Sequence, residues 1–219
     1  MHHHPNHDRA ADVPRQSHWD AVYTGGGEQV SWYQADPRLS VELIEMLLDG
    51  TSRRDNSVID VGGGASHLVF RLTTSGFTDV TVLDVSTAAL DAVRRRPGSD
   101  QITWLQSDLL SWRPSRRYQI WHDRAVFHFL TDPADRATYL TTLRQALEPG
   151  GGIVLATFTP DGPTHCSGLP VARYTATDLA DELATAFGDA IIVTNHRTEE
   201  HHTPAGTVQP FTWITGRLR

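Results

Sequence analysis

The last two extended runs of the chain, residues 190–195 and 208–215, are joined by a short polar link, His201-His202-Thr203-Pro204-Ala205-Gly206-Thr207. A crossover between parallel strands needs a dozen or more residues, so these two strands are predicted to pair antiparallel. Upstream the pattern is different. Short apolar runs at SVIDV (57–61), VTVLD (80–84), ITWLQ (102–106), YQIWHD (118–123) and GGIVLATF (151–158) alternate with stretches of helical periodicity. Leu39, Leu43, Ile44, Leu47 and Leu48 share one face of a helix predicted over 37–50 that stops at Gly50. Further helices are expected over 66–75, from Ser86 to about Arg95, from Asp132-Pro133 to the Glu148-Pro149-Gly150 stop, and from Thr175 with Asp178 in a capping-box spacing. Strand-helix alternation predicts an α/β fold: a seven-stranded, mostly parallel sheet with an antiparallel last strand and helices on both faces.

Composition narrows the classes. The chain has 219 residues, 39% hydrophobic and 21% charged, enough for one well-cored globular domain and too few for two full ones. A net charge of -7 does not attract phosphate backbones or anionic lipid, and the arginines fall in short separate clusters, so neither a nucleic-acid nor a membrane partner is expected. Cys166 is the only cysteine, which excludes an intrachain disulfide framework and a cysteine-rich zinc site; no metal is expected. No apolar run approaches the ~20 residues that span a bilayer, and the expected location is the cytoplasm. Residues 1–16 carry His2, His3, His4 and His7 but no apolar periodicity, and are read as a disordered tail or tag remnant. That leaves 17–219 as the domain, with 17–50 its N-terminal lid and helix.

The chemistry concentrates at the carboxyl ends of the first three strands. After Val58-Ile59-Asp60-Val61 come Gly62, Gly63 and Gly64, then Ala65 and Ser66. Glycines let the backbone turn tightly and approach a ligand closely, and the following helix start offers free N–H groups. Asp84 ends the second strand, 20 residues beyond Gly64, where a carboxylate can accept from two ribose hydroxyls. This much fits a nicotinamide cofactor as well as a methyl donor. The dinucleotide pattern, however, wants a small third residue at position 67, which here is His67.

The segment 58–66 resembles motif I of class I S-adenosylmethionine-dependent methyltransferases, with Ser66 where a third glycine is commoner. Gln106-Ser107-Asp108-Leu109 resembles the segment of that family whose acid meets the adenine amino group. The resemblance, over roughly residues 17–217, implies a Rossmann-like methyltransferase domain with S-adenosylmethionine as cofactor and S-adenosylhomocysteine as product. His18, Trp19, Tyr23, Trp32 and Tyr33 resemble the HW-x-Y and Trp-Tyr elements of a subset in which this segment folds over the cofactor. The implied cofactor set is Trp19, Tyr23 and Trp32 from that lid, Asp60, Gly62, Gly63 and Gly64 from motif I, Asp84 and Val85, then Ser107, Asp108 and Leu109, with His122 on the fourth strand.

Methyl transfer is an in-line displacement, so the protein has to position a nucleophile and keep it deprotonated. The catalytic candidates follow the fourth strand: Asp123 and Arg124 at its end, and His128 about one helical turn on, a side chain that titrates near neutrality. The loop Thr164-His165-Cys166-Ser167-Gly168-Leu169 is expected to border the acceptor pocket, with Tyr174 beyond it. The Asn/Asp-Pro-Pro-aromatic tetrad of adenine- and amide-specific relatives is absent, which disfavours nucleobase amino groups. A small-molecule acceptor is therefore the expected partner. A protein lysine acceptor is the alternative within the class, and a nicotinamide-dependent oxidoreductase or a non-catalytic nucleoside-binding module are the alternatives outside it.

Overall fold

In a pleated strand successive side chains point to opposite faces, and a central strand covered on both sides is apolar at nearly every position. Strand β1 (Ser57–Val61) follows this rule, buried throughout. Val58 faces one core, with Leu43, Ile44, Leu72 and Val154, whereas Ile59 and Val61 face the other, with Trp121, Leu140, Leu143 and Leu155. The computed structural model that shows this describes residues 15–26 and 29–219.

In chain order the elements are α1 (Arg15–Gly26), α2 (Arg38–Met46), β1, α3 (Leu68–Thr74), β2 (Asp79–Asp84), α4 (Thr87–Arg94), β3 (Ile102–Gln106), β4 (Tyr118–Arg124), α5 (Pro133–Ala146), β5 (Leu147–Phe158), β6 (His165–Cys166), β7 (Leu169–Pro170), α6 (Ala176–Phe187), β8 (Ile191–His202) and β9 (Val208–Leu218). Seven strands form one sheet in the order β3-β2-β1-β4-β5-β9-β8, and β6 with β7 makes a separate small hairpin. The expected antiparallel pairing is present: β9 runs antiparallel to both β5 and β8, and the first five strands are mutually parallel. Among the described residues no helix is long and apolar enough to cross a membrane.

Helix starts follow local chemistry. Ser86 accepts from the Ala89 amide at 3.0 Å, Asp132 accepts from the Ala134 amide at 2.8 Å ahead of Pro133, and Thr175 and Asp178 complete a reciprocal capping box. Such caps are each worth about 1 kcal/mol. Ser66 acts similarly, its hydroxyl accepting from the Leu68 amide at 3.0 Å.

Three boundaries differ from the sequence reading. Arg15 and Gln16, assigned to the tail, open α1, and Arg15 bridges Asp108 and Asp135 at 3.2 and 2.6 Å; the remainder of that tail, residues 1–14, lies outside the described residues. Helix α5 stops at Ala146, ahead of the expected break, and β5 begins at once with Leu147. Leu147 pairs with Tyr118, the register then slips, and pairing resumes at Ile120 with Gly152. The glycines thus form a bulge inside a strand. Strand β8 is twice the expected length because β9 pairs with it along its whole course.

A buried relay locks the end of β4 to α5. The Trp121 indole donates to the Tyr139 hydroxyl at 2.9 Å, and that hydroxyl donates to the Asp123 carboxylate at 2.7 Å. Asp123 also accepts from the Val126 and Phe127 amides at 2.9 and 3.1 Å, holding the short turn Phe127–Phe129. Tyr139→Phe removes one donor from a fully buried carboxylate and strands the indole N–H. Its expected cost is about 1–3 kcal/mol in urea denaturation, with an unchanged slope against denaturant.

Candidate functional site

Strand order reverses between β1 and β4, and in an open α/β sheet the loops leaving such a pair diverge, opening a crevice at the carboxyl ends. The turn after β1 fills its floor. Gly62 and Gly64 adopt φ of 63° and 47°, the left-handed region that glycine enters without strain. A methyl group at Gly62 would overlap the Val126 side chain, and one at Gly64 would overlap the Tyr23 hydroxyl. At Gly63 it would lie 2.5 Å from Asp60 Oδ2.

Asp60 and His122 are register partners on β1 and β4 and project to the same face. His122 Nδ1 meets Asp60 Oδ1 at 2.7 Å, and His122 Nε2 meets the Ser40 hydroxyl of α2 at 3.0 Å. The second oxygen of Asp60, Oδ2, is buried beside the glycine turn without a partner. A buried carboxylate oxygen left open in this way is an acceptor waiting for a donor.

On the other side of the turn Asp84 ends β2. Its Oδ1 accepts from the Ser86 amide at 2.7 Å. Burial pushes its carboxyl up to about 7, although the Ser86 and Gly64 amides favour the charged form. Asp108, beyond β3, is less enclosed: Oδ1 accepts from the Leu110 amide at 2.9 Å and Oδ2 pairs with Arg15. The lid comes from α1 and the segment before α2. Trp19 packs edge-on against Trp32 and Phe129 at 5.7 and 5.0 Å, and Tyr23 against Trp32 at 6.0 Å. Asp20 anchors α1 by accepting from the Ser86 hydroxyl and the Ala88 amide at the start of α4, at 2.7 and 3.0 Å.

Two adjoining lobes result, sharing Tyr23, Trp32, Gly62 and Arg124 as walls. Trp19, Asp84, Val85, Ser107, Asp108 and Leu109 line the first; Asp60, Gly63 and His122 line the second. Of the expected cofactor residues Gly64 alone lines neither lobe, because the Tyr23 hydroxyl covers it.

Residues 58–151 match the family model of the methyltransferase domain. That match supports a class I methyltransferase, and it runs from β1 to the start of β5, so it includes the glycine turn, Asp84 and Asp108. A tRNA U34 carboxymethyltransferase of Shewanella woodyi is 30% identical over 135 residues, which span 59% of this chain and 40% of that protein. The chain therefore spans less than half the length of that curated relative. Among solved structures, one described as the conversion of a disulfide bond into a thioacetal group during echinomycin biosynthesis superposes with a TM-score of 0.71 at 19% identity, covering 93% of this chain and 92% of the other. The 1,6-didemethyltoxoflavin-N1-methyltransferase of Burkholderia thailandensis, bound to 1,6-didemethyltoxoflavin and S-adenosylhomocysteine, gives 0.68 at 18% identity over 93% and 86%. The glycopeptide N-methyltransferase MtfA with sinefungin gives 0.60 at 17% identity over 82% and 94%.

In the structure the three catalytic candidates part company. Arg124 lines both lobes. Asp123 lines neither and is wholly buried, its oxygens committed to the relay and the turn that follow β4; burial raises its carboxyl to about 6. His128 is also wholly buried, packed against Phe129 and Phe158 at 4.4 and 4.8 Å, with no hydrogen bond at either nitrogen. Burial, with Arg124 nearby, drives its imidazole down to about 3, so it is neutral at pH 7 and too weak a base to take a proton. It lines neither lobe. The turn that holds it is short and points the ring into the sheet.

Cys166 and Leu169 border the first lobe as expected, carried by β6 and β7, whereas Tyr174 packs on Phe127 instead. Sequence reasoning missed Arg15, Ala125, Val126, Phe129 and Leu130 as wall residues. Ala125 has φ of 70°, a strained value for a residue with a side chain, and nothing in its identity signals that.

Gly62→Ala introduces both a positive-φ penalty, about 1–2 kcal/mol, and an overlap with Val126. Combining it with Val126→Ala should recover the overlap component, so that the double variant is less destabilised than the sum of the singles. Strict additivity in thermal or urea unfolding would mean the contact carries no strain.

Proposed function

We propose that this methyltransferase transfers the methyl group of S-adenosylmethionine to a small-molecule acceptor in the first lobe. The observation that carries the reading is the pairing of two unsatisfied or unstable carboxylates, Asp60 and Asp84, on either side of a glycine turn that a side chain would fill. Asp84 accepts from the ribose hydroxyls, Ser107, Asp108 and Leu109 hold the adenine, and Asp60 with Gly62 and Gly63 receives the ammonium end of the amino-acid moiety. His122 fixes the Asp60 carboxylate from behind. S-adenosylmethionine, when bound, supplies a methyl group on a sulfonium centre.

What the chain contributes is position and exclusion of water. Trp19, Tyr23 and Trp32 offer ring faces that attract a cation, and their closure over the crevice strengthens every charge interaction beneath them. Of the titratable groups on the first lobe, Arg15, Tyr23, Asp84, Asp108, Arg124 and Cys166, none is placed as a general base. Burial raises the Cys166 thiol and the Tyr23 phenol, and Asp84 is assigned to the ribose. The acceptor is therefore one that ionises by itself near neutral pH. The reading places the protein in the cytoplasm, in keeping with its single cysteine, and excludes nucleic acid on the strength of the acidic net charge.

One observation favours a second reading: the 30% identity to a tRNA-modifying enzyme. Turnover of methyl-labelled donor against a metabolite pool, total tRNA and lysate protein separates the cases. Label in small molecules supports the proposal, and label confined to tRNA or protein overturns it.

Cofactor binding should depend on pH in a defined direction. With Asp84 near 7 in the free protein, its carboxyl is protonated below pH 7 and has to lose that proton to accept from both hydroxyls. S-adenosylhomocysteine affinity, measured by calorimetry, should rise with pH up to ~7 and then level. Asp84→Asn should flatten the profile and weaken binding ~10- to 150-fold, the equivalent of ~1.5–3 kcal/mol for a charge-assisted bond. NAD should not bind at comparable concentrations.

A further inference from the structure

Among the described residues the Arg124 guanidinium is left with two nitrogens that meet no hydrogen-bond partner. Its Nη1 donates to the Trp32 carbonyl at 2.9 Å, and its guanidinium lies over the Phe211 ring at 4.5 Å, so the plane of the fork is fixed from two sides. The other two nitrogens, Nε and Nη2, are buried and make no hydrogen bond. These two N–H groups form one edge of the guanidinium, the edge that matches the two oxygens of a carboxylate.

The nearby acids, Glu199 and Asp60, act on the guanidinium but hydrogen-bond elsewhere. Glu199 feels the charge, but one of its oxygens accepts from Gln34 and the other from the Trp213 indole. Asp60 is held by His122 and faces the glycine turn. His128 and His201 are both driven toward the neutral form by burial and by Arg124 itself. Arg124 is pulled down to about 10 by burial, which still leaves it charged at neutral pH. A buried unpaired charge destabilises a fold, and its retention calls for a ligand that completes it.

Resting on the cofactor reading above, we infer that the methyl acceptor bears a carboxylate, received side-on by Nε and Nη2 of Arg124. Beside Arg124 the first lobe is walled by Trp19, Phe129, Leu130, Cys166 and Leu169, so the body of the acceptor is small and apolar. Arg124 is then a residue that selects and positions the acceptor, with no proton to move.

The test uses the full chain loaded with S-adenosylhomocysteine and a matched pair of probes, 3-hydroxybenzoate and 3-hydroxybenzamide. Binding is read by calorimetry and by the fluorescence of Trp19 and Trp32. The acid should bind at least ~10-fold more tightly than the amide, since leaving one member of a buried charge pair unmatched is heavily penalised. Arg124→Gln should abolish that discrimination, and Arg124→Lys, which keeps the charge but loses the fork, should fall between. Equal binding of acid and amide to the unaltered protein overturns the inference, whatever the variants do. So does a failure of both probes to bind, or a loss of S-adenosylhomocysteine affinity in Arg124→Gln with discrimination intact, which would assign the guanidinium to the cofactor. If S-adenosylhomocysteine itself does not bind, the cofactor reading falls and takes this inference with it; if it binds without discrimination between the probes, only this inference falls.

Discussion

Everything at the site depends on the strand order changing direction between β1 and β4. Two adjacent parallel strands whose chains leave in opposite directions cannot have their connecting loops close over the gap, so a crevice is unavoidable there. The backbone at that point has to bend immediately after β1, and it does so through residues with positive φ. Val126 on one side and Tyr23 on the other approach so closely that side chains at 62 or 64 would collide with them. The turn is shaped by its neighbours as much as by its own glycines.

Into that crevice the fold sets charges that it does not itself satisfy. Asp60 keeps one oxygen open, Asp84 is buried enough to hold its proton near neutral pH, and Arg124 has two idle N–H groups. Asp123, only one residue from Arg124, shows the opposite treatment, with three donors gathered around it, the Val126 and Phe127 amides and the Tyr139 hydroxyl. The contrast separates two kinds of buried charge. One is part of the framework and is paid for in hydrogen bonds, while the other is left for a ligand.

The lid adds a mechanical point. Helix α1 is polar overall and is held at a few places: Asp20 on the start of α4, Arg15 across Asp108 and Asp135, and Trp19 and Tyr23 on the cavity. The Arg15 contacts are exposed and thus weak and salt-sensitive. An element of few buried contacts resting over a binding site is what ligand entry requires.

Local pattern was enough to establish the parallel strands, the capped starts of α4, α5 and α6 and the antiparallel end of the sheet, because apolar periodicity, caps and connection lengths are properties of neighbouring residues. The acids at the strand tips were legible for the same reason: a carboxylate at the end of an apolar run has a defined place once the run is a strand. What the sequence could not fix was direction and enclosure. His128 has the right chemistry for a base and the right distance from β4, yet a three-residue turn aims it into the core, and only the packing of Phe129 and Phe158 around it decides that. Arg124 is one arginine among many in the chain until β9 brings Phe211 beneath it and the lid brings the Trp32 carbonyl to one edge. Burial and partnership belong to three dimensions, and they determine which of the charged residues is a prop and which is a hand held open.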